Sequence, residues 1–189
     1  MAQKLKIAAI SGSLRKGSYN TAALRAAREL QPQGMEIEVI TLEGIEPFNE
    51  DVEAEGWPPN VQVLRDKVAP AHGVLFATPE YNYSMPGVLK NAIDWWSRPT
   101  GKGPIVDKPA AIIGASLSKI GTARAQAHLR QSAFYNAMPL LPTAEVLISN
   151  ASEIFDDQGR LADADTRKFL SEMLVEFGDW VRMHASNHS

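Results

Sequence analysis

Short apolar runs alternate with longer amphipathic segments along the chain, and this alternation is the first guide to the fold. The runs are rich in alanine, valine, leucine and isoleucine and lie close to glycine, proline or serine, which is typical of buried strands. We predict five strands, at Lys6–Ile10, Met35–Leu42, Gly73–Thr78, Pro109–Ser116 and Ala144–Ile148.

The segments between and after these runs carry helix-forming residues with apolar positions on one helical face. We predict helices at Tyr19–Leu30, Asn60–Ala71, Pro86–Trp96, Thr122–Met138 and Ala164–Met183. The acidic connection from Glu43 to Pro59 is expected to form a solvated loop. Strand and helix thus follow one another five times, which predicts an α/β fold, a doubly wound parallel sheet with helices on both faces.

Composition and charge narrow the class of protein. The 189 residues suit one domain spanning 1–189, and 44% hydrophobic with 22% charged residues is typical of a globular protein. The net charge of -3 argues against binding nucleic acid. There is no cysteine and the four histidines lack metal-ligand spacing, so we predict no metal site. No run approaches the ~20 apolar residues of a membrane span or forms a signal peptide, so we expect a cytoplasmic protein without membrane contact.

Three loops follow predicted strand ends, which is where ligands bind in open parallel sheets. They are the first loop, Ser11–Ser18, the second loop, Pro79–Met85, and the third loop, Ser116–Gly121. Because carboxyl ends of parallel strands share one edge of a sheet, any binding site is expected to be built from these loops.

The first loop has the chemistry of an anion site. A predicted helix follows it directly, and a helix N-terminus carries unpaired N–H groups and a partial positive charge. Hydroxyls, a guanidinium suited to phosphate and an amide add further donors, from Ser11, Ser13, Ser18, Arg15 and Asn20. A terminal phosphate monoester suits this donor set. The alternative is a plain strand-to-helix turn with Ser18 as its N-cap.

Two familiar phosphate motifs do not match the first loop. In GSLRKGSY the lysine precedes the second glycine, so the loop is not G-x-x-x-x-G-K-[ST]. Gly12 and Gly17 are its only glycines, so it is not G-x-G-x-x-G either.

The second and third loops suit a flat ring. TPEYNYSMPG places two tyrosines and an asparagine between prolines, so aromatic side chains could face a ring and stiff backbone amides its edge. The alternative is a rigid turn whose tyrosines cover the core. In SLSKIGTAR, Ser116 and Gly121 would allow the backbone to approach a ligand, with an ordinary loop as the alternative.

The segments GSLRKGSYN, PEYNYSMPGVLKNAIDWWSR and SLSKIGTARAQAHLRQ together resemble the NADPH-dependent FMN reductase family, and within it the bacterial chromate and quinone reductases. The resemblance covers Lys4 to Ile148, with the three motifs in the family's order. It implies a flavodoxin-like fold with strand order 2-1-3-4-5 and non-covalently bound FMN. Gly121 is followed by Thr122 where the family often has paired glycines.

The resemblance also implies the cofactor-binding residues. The first loop would hold the FMN phosphate, the second would lie along the isoalloxazine ring, and Ser116 would approach the pyrimidine side. The implied residues are Ser11, Ser13, Arg15, Ser18, Tyr19, Asn20, Pro79, Glu80, Tyr81, Asn82, Tyr83 and Ser116. No catalytic side chain is expected, because hydride chemistry belongs to the flavin.

The function that this resemblance favours is an FMN-dependent oxidoreductase. With NADPH or NADH as reductant, it would reduce quinones, free flavin or adventitious acceptors such as chromate by ping-pong hydride transfer. A flavodoxin-type electron carrier is the alternative, although such carriers are more acidic and have a threonine-rich phosphate loop. A nicotinamide dehydrogenase without flavin would need the G-x-G-x-x-G motif that is missing here.

The resemblance further implies a homodimer or homotetramer with each flavin near a neighbouring subunit. Arg124 and Glu145 are candidates to pair across such an interface. A surface or intramolecular salt bridge is the alternative for either residue.

Overall fold

The structure, a computed structural model, describes residues 4–142 and 145–185. Its strands are β1 Leu5–Ser11, β2 Met35–Ile40, β3 Gly73–Ala77, β4 Ala110–Ala115 and β5 Val146–Ile148. They form one parallel sheet in the order β2-β1-β3-β4-β5. The predicted flavodoxin-like sheet is therefore confirmed, including its strand order. Ala144, which the sequence placed in the fifth strand, lies outside the described residues.

Seven helices connect and cover the strands in the described part of the chain. They are α1 Tyr19–Glu29, α2 Glu50–Glu55, α3 Pro59–Val68, α4 Gly87–Trp96, α5 Ala123–Tyr135, α6 Ala151–Ile154 and α7 Ala164–Ala185. Five of them correspond to the predicted helices, whereas α2 and α6 were not predicted. They have six and four residues, and a helix of fewer than two turns leaves little periodicity in a sequence.

Helices cover both faces of the sheet because every central strand buries both of its faces. Along β1, Ile7 and Ala9 pack in one core with α1 and α7. Ala8 and Ile10 point to the opposite face and pack with α3, α4 and α5. The carboxyl edge of the sheet is therefore free to present loops.

The acidic connection after β2 is held against the protein instead of being a purely solvated loop. Arg98 forms ion pairs with Glu50 and, over 3.3 Å from Nε to Oε2, with Glu53. The guanidinium of Arg65 lies 3.8 Å from the centroid of the Trp57 ring. The prediction missed these contacts because both arginines follow the connection in sequence and reach it only through packing of α3 and α4.

Candidate functional site

The three loops meet around one cleft of about 330 Å³ at the carboxyl edge of the sheet. Its lining residues are Ser13, Arg15, Ser18, Tyr19, Asn20, Pro79, Glu80, Tyr81, Ala115, Ser116 and Leu117. All the residues implied by the resemblance are among them except Ser11, Asn82 and Tyr83. The structure thus brings together side chains that are about a hundred residues apart in the chain.

A larger groove of about 610 Å³ lies along β1 and β2, away from the three loops, and its lining combines four cations with two carboxylates. Both carboxylates are paired with a lysine of the groove, Glu36 with Lys4 at 3.3 Å and Glu38 with Lys67 at 3.6 Å. The groove is therefore a surface of mixed charge, and the smaller cleft is the better candidate for the functional site.

The first loop presents several donors to the cleft. Ser18 is the N-cap of α1, and its side chain accepts a hydrogen bond from Thr21 N. Ser13 Oγ accepts from Arg15 N at 3.3 Å. The N–H groups of Tyr19 and Asn20 open the helix and have no intrahelical acceptor. No carboxylate lies within ion-pair distance of Arg15 among residues 4–142 and 145–185, so the donor set is cationic and suits an anion.

Ser11 lies beneath the cleft and shapes the loop. It is fully buried, and its Oγ lies 2.7 Å from Thr21 Oγ1. Beside it, a Cβ on Gly12 would lie 3.1 Å from Leu89 Cδ2 and 3.2 Å from the carbonyl oxygen of Ala77. A larger residue at Gly12 would therefore require small shifts of the side chain of Leu89 or of the backbone of β3.

Asn20 uses its amide to join α1 to β4. Nδ2 donates to Ala115 O at 2.9 Å, and Oδ1 accepts from Ala115 N at 2.8 Å. The side chain is 3% exposed. Asn20 thus lines the cleft but is engaged by the end of β4, a contact between residues 95 positions apart that no local pattern could reveal.

The second loop forms a tight turn at the mouth of the cleft. Tyr81 and Ser84 exchange backbone hydrogen bonds of 2.9 and 3.0 Å. Between them, Asn82 and Tyr83 both have left-handed backbone, with φ of 49° and 66°. That geometry matches a type I′ turn, which is unusual without glycine. Tyr81 lines the cleft and is half exposed, whereas Tyr83 lies at the tip and is 67% exposed.

Glu80 anchors the second loop to α5. Its Oε1 accepts from Arg124 Nε at 2.6 Å, and its Oε2 accepts from Arg124 N at 3.0 Å and Ala125 N at 3.2 Å. The carboxylate thereby satisfies first-turn N–H groups of the helix. Neither of its oxygens is left to face the cleft without a partner.

The third loop closes the remaining side of the cleft. Ser116 N donates to Ile148 O at 2.9 Å, and Ser116 Oγ accepts from Ser118 N at 3.1 Å. Ala115 and Leu117 also line the cleft and were not predicted. Their positions on either side of Ser116, at the end of a predicted strand, were the available signal. Leu117 is 64% exposed and adds apolar surface to the rim.

Arg124 and Glu145, the candidates for an intersubunit pair, have other partners within the chain. Arg124 binds Glu80, as described, and Arg130 Nη2 lies 3.6 Å from Glu145 Oε1. Both residues therefore form salt bridges within the chain, which was the alternative to an intersubunit pair.

Other titratable groups lie elsewhere. Burial lowers the pKa of Lys108, whose Nζ donates to the carbonyl oxygens of Ala69 and Ala71. This lysine precedes β4 and so lies at the opposite edge of the sheet from the cleft. In the described ranges, no three His, Asp or Glu side chains are grouped to hold a metal ion. No helix in those ranges has both the length and the apolarity needed to span a bilayer.

Comparison with known proteins relates this chain to a family of flavin reductases. The model of the NADPH-dependent FMN reductase family matches residues 5–153. An NAD(P)H-dependent FMN reductase of Pseudomonas aeruginosa is 52% identical over 182 residues, covering 96% of this chain and 98% of that protein. A quinone reductase of Pseudomonas putida is 39% identical over 184 residues, covering 97% and 98%.

A solved structure supports the same relationship. The flavoenzyme NAD(P)H:(acceptor) oxidoreductase FerB of Paracoccus denitrificans superposes with a TM-score of 0.86 at 35% identity, covering 95% of this chain and 98% of that one. The family model matches residues 5–153, and the relatives and the solved structure cover nearly the whole chain. The chain therefore belongs to the NADPH-dependent FMN reductase family and is an oxidoreductase whose cofactors are FMN and NAD(P)H.

Proposed function

We propose that this oxidoreductase reduces quinones, free flavin and adventitious acceptors such as chromate by ping-pong hydride transfer. The observation that carries the proposal is the cleft itself, which joins a phosphate-type donor set to an aromatic turn. A quinone acceptor is favoured by relatives named quinone reductase and 2-hydroxy-1,4-benzoquinone reductase, the latter from a Burkholderia species at 39% identity.

The residues of the cleft fit the phosphate of FMN. Arg15 and the hydroxyls of Ser13 and Ser18 would hold it together with the N–H groups of Tyr19 and Asn20. No uncompensated carboxylate opposes them, because Arg124 and the first turn of α5 engage Glu80. The site thus has the charge and donors that a phosphate monoester requires.

The other two loops would hold the ring. Pro79, Glu80 and Tyr81 would lie along one side and Ser116 with Leu117 along another. Ser11, Asn82 and Tyr83 belong to the proposed site as residues that shape its loops. FMN supplies the hydride chemistry when bound, and the protein positions it and limits what can reach it.

The size of the cleft supports ping-pong kinetics. At about 330 Å³ it lies near the lower end of the ~300–1,000 Å³ typical of ligand pockets, so FMN alone would nearly fill it. Tyr81 and Leu117, which line the cleft, would then border its mouth. We infer that one flat partner at a time would occupy this mouth. NAD(P)H must leave that mouth before the acceptor enters.

Two measurements test this proposal. The purified protein should be yellow, bleach with NADPH under anaerobic conditions and recolour on addition of a quinone. Plots of reciprocal rate against reciprocal NADPH concentration at several quinone concentrations should be parallel. Intersecting lines would mean a ternary complex with separate donor and acceptor sites, and a protein that takes up no FMN would contradict the proposed cleft altogether.

We also propose a cytoplasmic homodimer or homotetramer. Two aromatic side chains at the end of α5, Phe134 and Tyr135, are 84% and 75% exposed, which favours a subunit contact there. The absence of cysteine is compatible with a reducing compartment. Light scattering after gel filtration should give the mass of two or four chains, and a monomer at all concentrations would refute the assembly.

A further inference from the structure

The contact between Glu80 and Arg124 places an ion pair with a buried carboxylate in the wall of the cleft. The side chain of Glu80 is 7% exposed and that of Arg124 is 38% exposed. Arg124 Nε and Glu80 Oε1 are 2.6 Å apart. A carboxylate this deeply buried needs compensation, because transfer of a charge from water into protein is costly.

The compensation comes from two sources on α5. One is the full charge of the Arg124 guanidinium, and the other is the N-terminus of the helix, whose Arg124 and Ala125 N–H groups both donate to Glu80 Oε2. Helix α5 is 13 residues long, so its dipole is developed. The negative charge at the cleft is thus balanced by groups of α5, and neither Arg124 nor Ala125 is among the residues that line the cleft.

Arg124 also contacts the turn at the mouth. Its Cζ lies 3.7 Å from the centroid of the Tyr83 ring, within the range of a cation–π contact. One helix turn later, His128 Nδ1 lies 2.9 Å from Ser84 Oγ. The second loop is therefore fastened to α5 at three points, and Arg124 provides two of them.

We propose that Glu80 and Arg124 form a compensated charge pair that sets the reduction potential of FMN bound in the cleft. The proposal rests on the proposed function, since it requires FMN at this site. Neither residue is a catalytic residue. They act through the electrostatic field at the ring, where added electrons are stabilised by positive and opposed by negative charge.

The charge-pair proposal predicts that the two single variants shift the reduction potential of FMN in opposite directions. Glu80→Gln removes the negative charge and leaves Arg124, so the potential should become more positive. Arg124→Leu removes the cation and leaves the carboxylate with only the helix N-terminus, so the potential should become more negative. The potential of the double variant should lie between those of the two single variants, near the wild-type value, because the two charges largely offset each other.

The effect is measured as a ratio of dissociation constants. FMN is titrated into apoprotein in its oxidised and its reduced form, and each single variant should change the ratio by about threefold or more, in opposite directions. A tenfold change in that ratio equals about 30 mV for a two-electron couple. Dye equilibration of the FMN-loaded protein gives the same shift independently.

Matched variants separate this field effect from loosening of the loop. Arg124→Lys keeps the charge and should stay near the wild-type potential. Arg130→Leu removes a cation from the same helix. Arg130 pairs with Glu145, and neither residue lines the cleft, so this variant should change the ratio of FMN dissociation constants little. Thermal unfolding of every apoprotein shows which variants are folded.

The outcomes are distinct from those that test the function. Potentials that move in the same direction in Glu80→Gln and Arg124→Leu, or do not move, would overturn the charge-pair proposal while FMN still binds. A wild-type apoprotein that binds no FMN would instead overturn the proposed function. Opposite shifts with the double variant near the wild type would support the pair.

Discussion

Replacing Asn20 by alanine should detach α1 from the end of β4 and lower the free energy of unfolding. The wild-type side chain is buried and makes hydrogen bonds of 2.9 and 2.8 Å to the carbonyl and N–H of Ala115. A buried polar group left unpaired costs about 1–3 kcal/mol. Ala115 would be left with two such groups beside a cleft that admits water, so the lower part of that range applies to each. We expect a loss of about 2–4 kcal/mol.

Urea unfolding of the apoprotein, followed by circular dichroism, measures this loss without any contribution from bound FMN. Asn20→Asp keeps the acceptor for Ala115 N–H but places a carboxylate oxygen against the Ala115 carbonyl oxygen in a buried position, so at neutral pH a loss at least as large as that of Asn20→Ala is expected. Asn60→Ala serves as a matched control, because Asn60 makes a single exposed hydrogen bond of 2.8 Å to Gly44 O. That variant should lose well under about 1 kcal/mol.

The same variants decide which role the Asn20 amide has. If Asn20→Ala unfolds at the wild-type urea concentration but binds FMN much more weakly, the amide serves the phosphate and the reasoning from the Ala115 contact is refuted. If stability falls in the apoprotein, the residue positions the cleft as the structure indicates.

Three further predictions concern single side chains. Arg15→Ala should weaken FMN binding about tenfold to a hundredfold, since a hydrogen bond to a charged group contributes roughly 1.5–3 kcal/mol. Titration of the apoprotein with FMN measures the dissociation constant, and Arg28→Ala, at the other end of α1, is the control. Tyr83→Ala should change KM for quinones while FMN occupancy stays near full, and loss of FMN with normal kinetics for the remainder would contradict this. Burial lowers the pKa of Lys108 in the folded state. Between that lowered pKa and the ordinary lysine pKa, the unfolded state binds more protons than the folded state. The free energy of unfolding should therefore rise with pH across this window. Lys108→Met should lack that rise in urea unfolding from pH 8 to 10.5, and equal pH dependence in both proteins would refute it.

The sequence by itself determined the fold and which loops meet at the proposed site. Alternating apolar runs and amphipathic segments indicated a parallel sheet, and the loops after β1, β3 and β4 had to meet because carboxyl ends of parallel strands share an edge. Its polar residues then suggested a phosphate site in the first loop. These features are readable because each depends on a repeating pattern or on neighbours in the chain.

Only the tertiary structure decided which atoms are available in the cleft. Asn20 and Glu80 have the side chains of ligand-binding residues, yet Asn20 is paired with Ala115 and Glu80 with Arg124, contacts that span 95 and 44 positions. Hydrogen bonds of this kind leave no trace in local periodicity, since a buried polar group takes whichever partner the packed helices and strands bring within about 3 Å. The residue types in the cleft are thus a property of the sequence, whereas their assignment to ligand or to scaffold is a property of the packing.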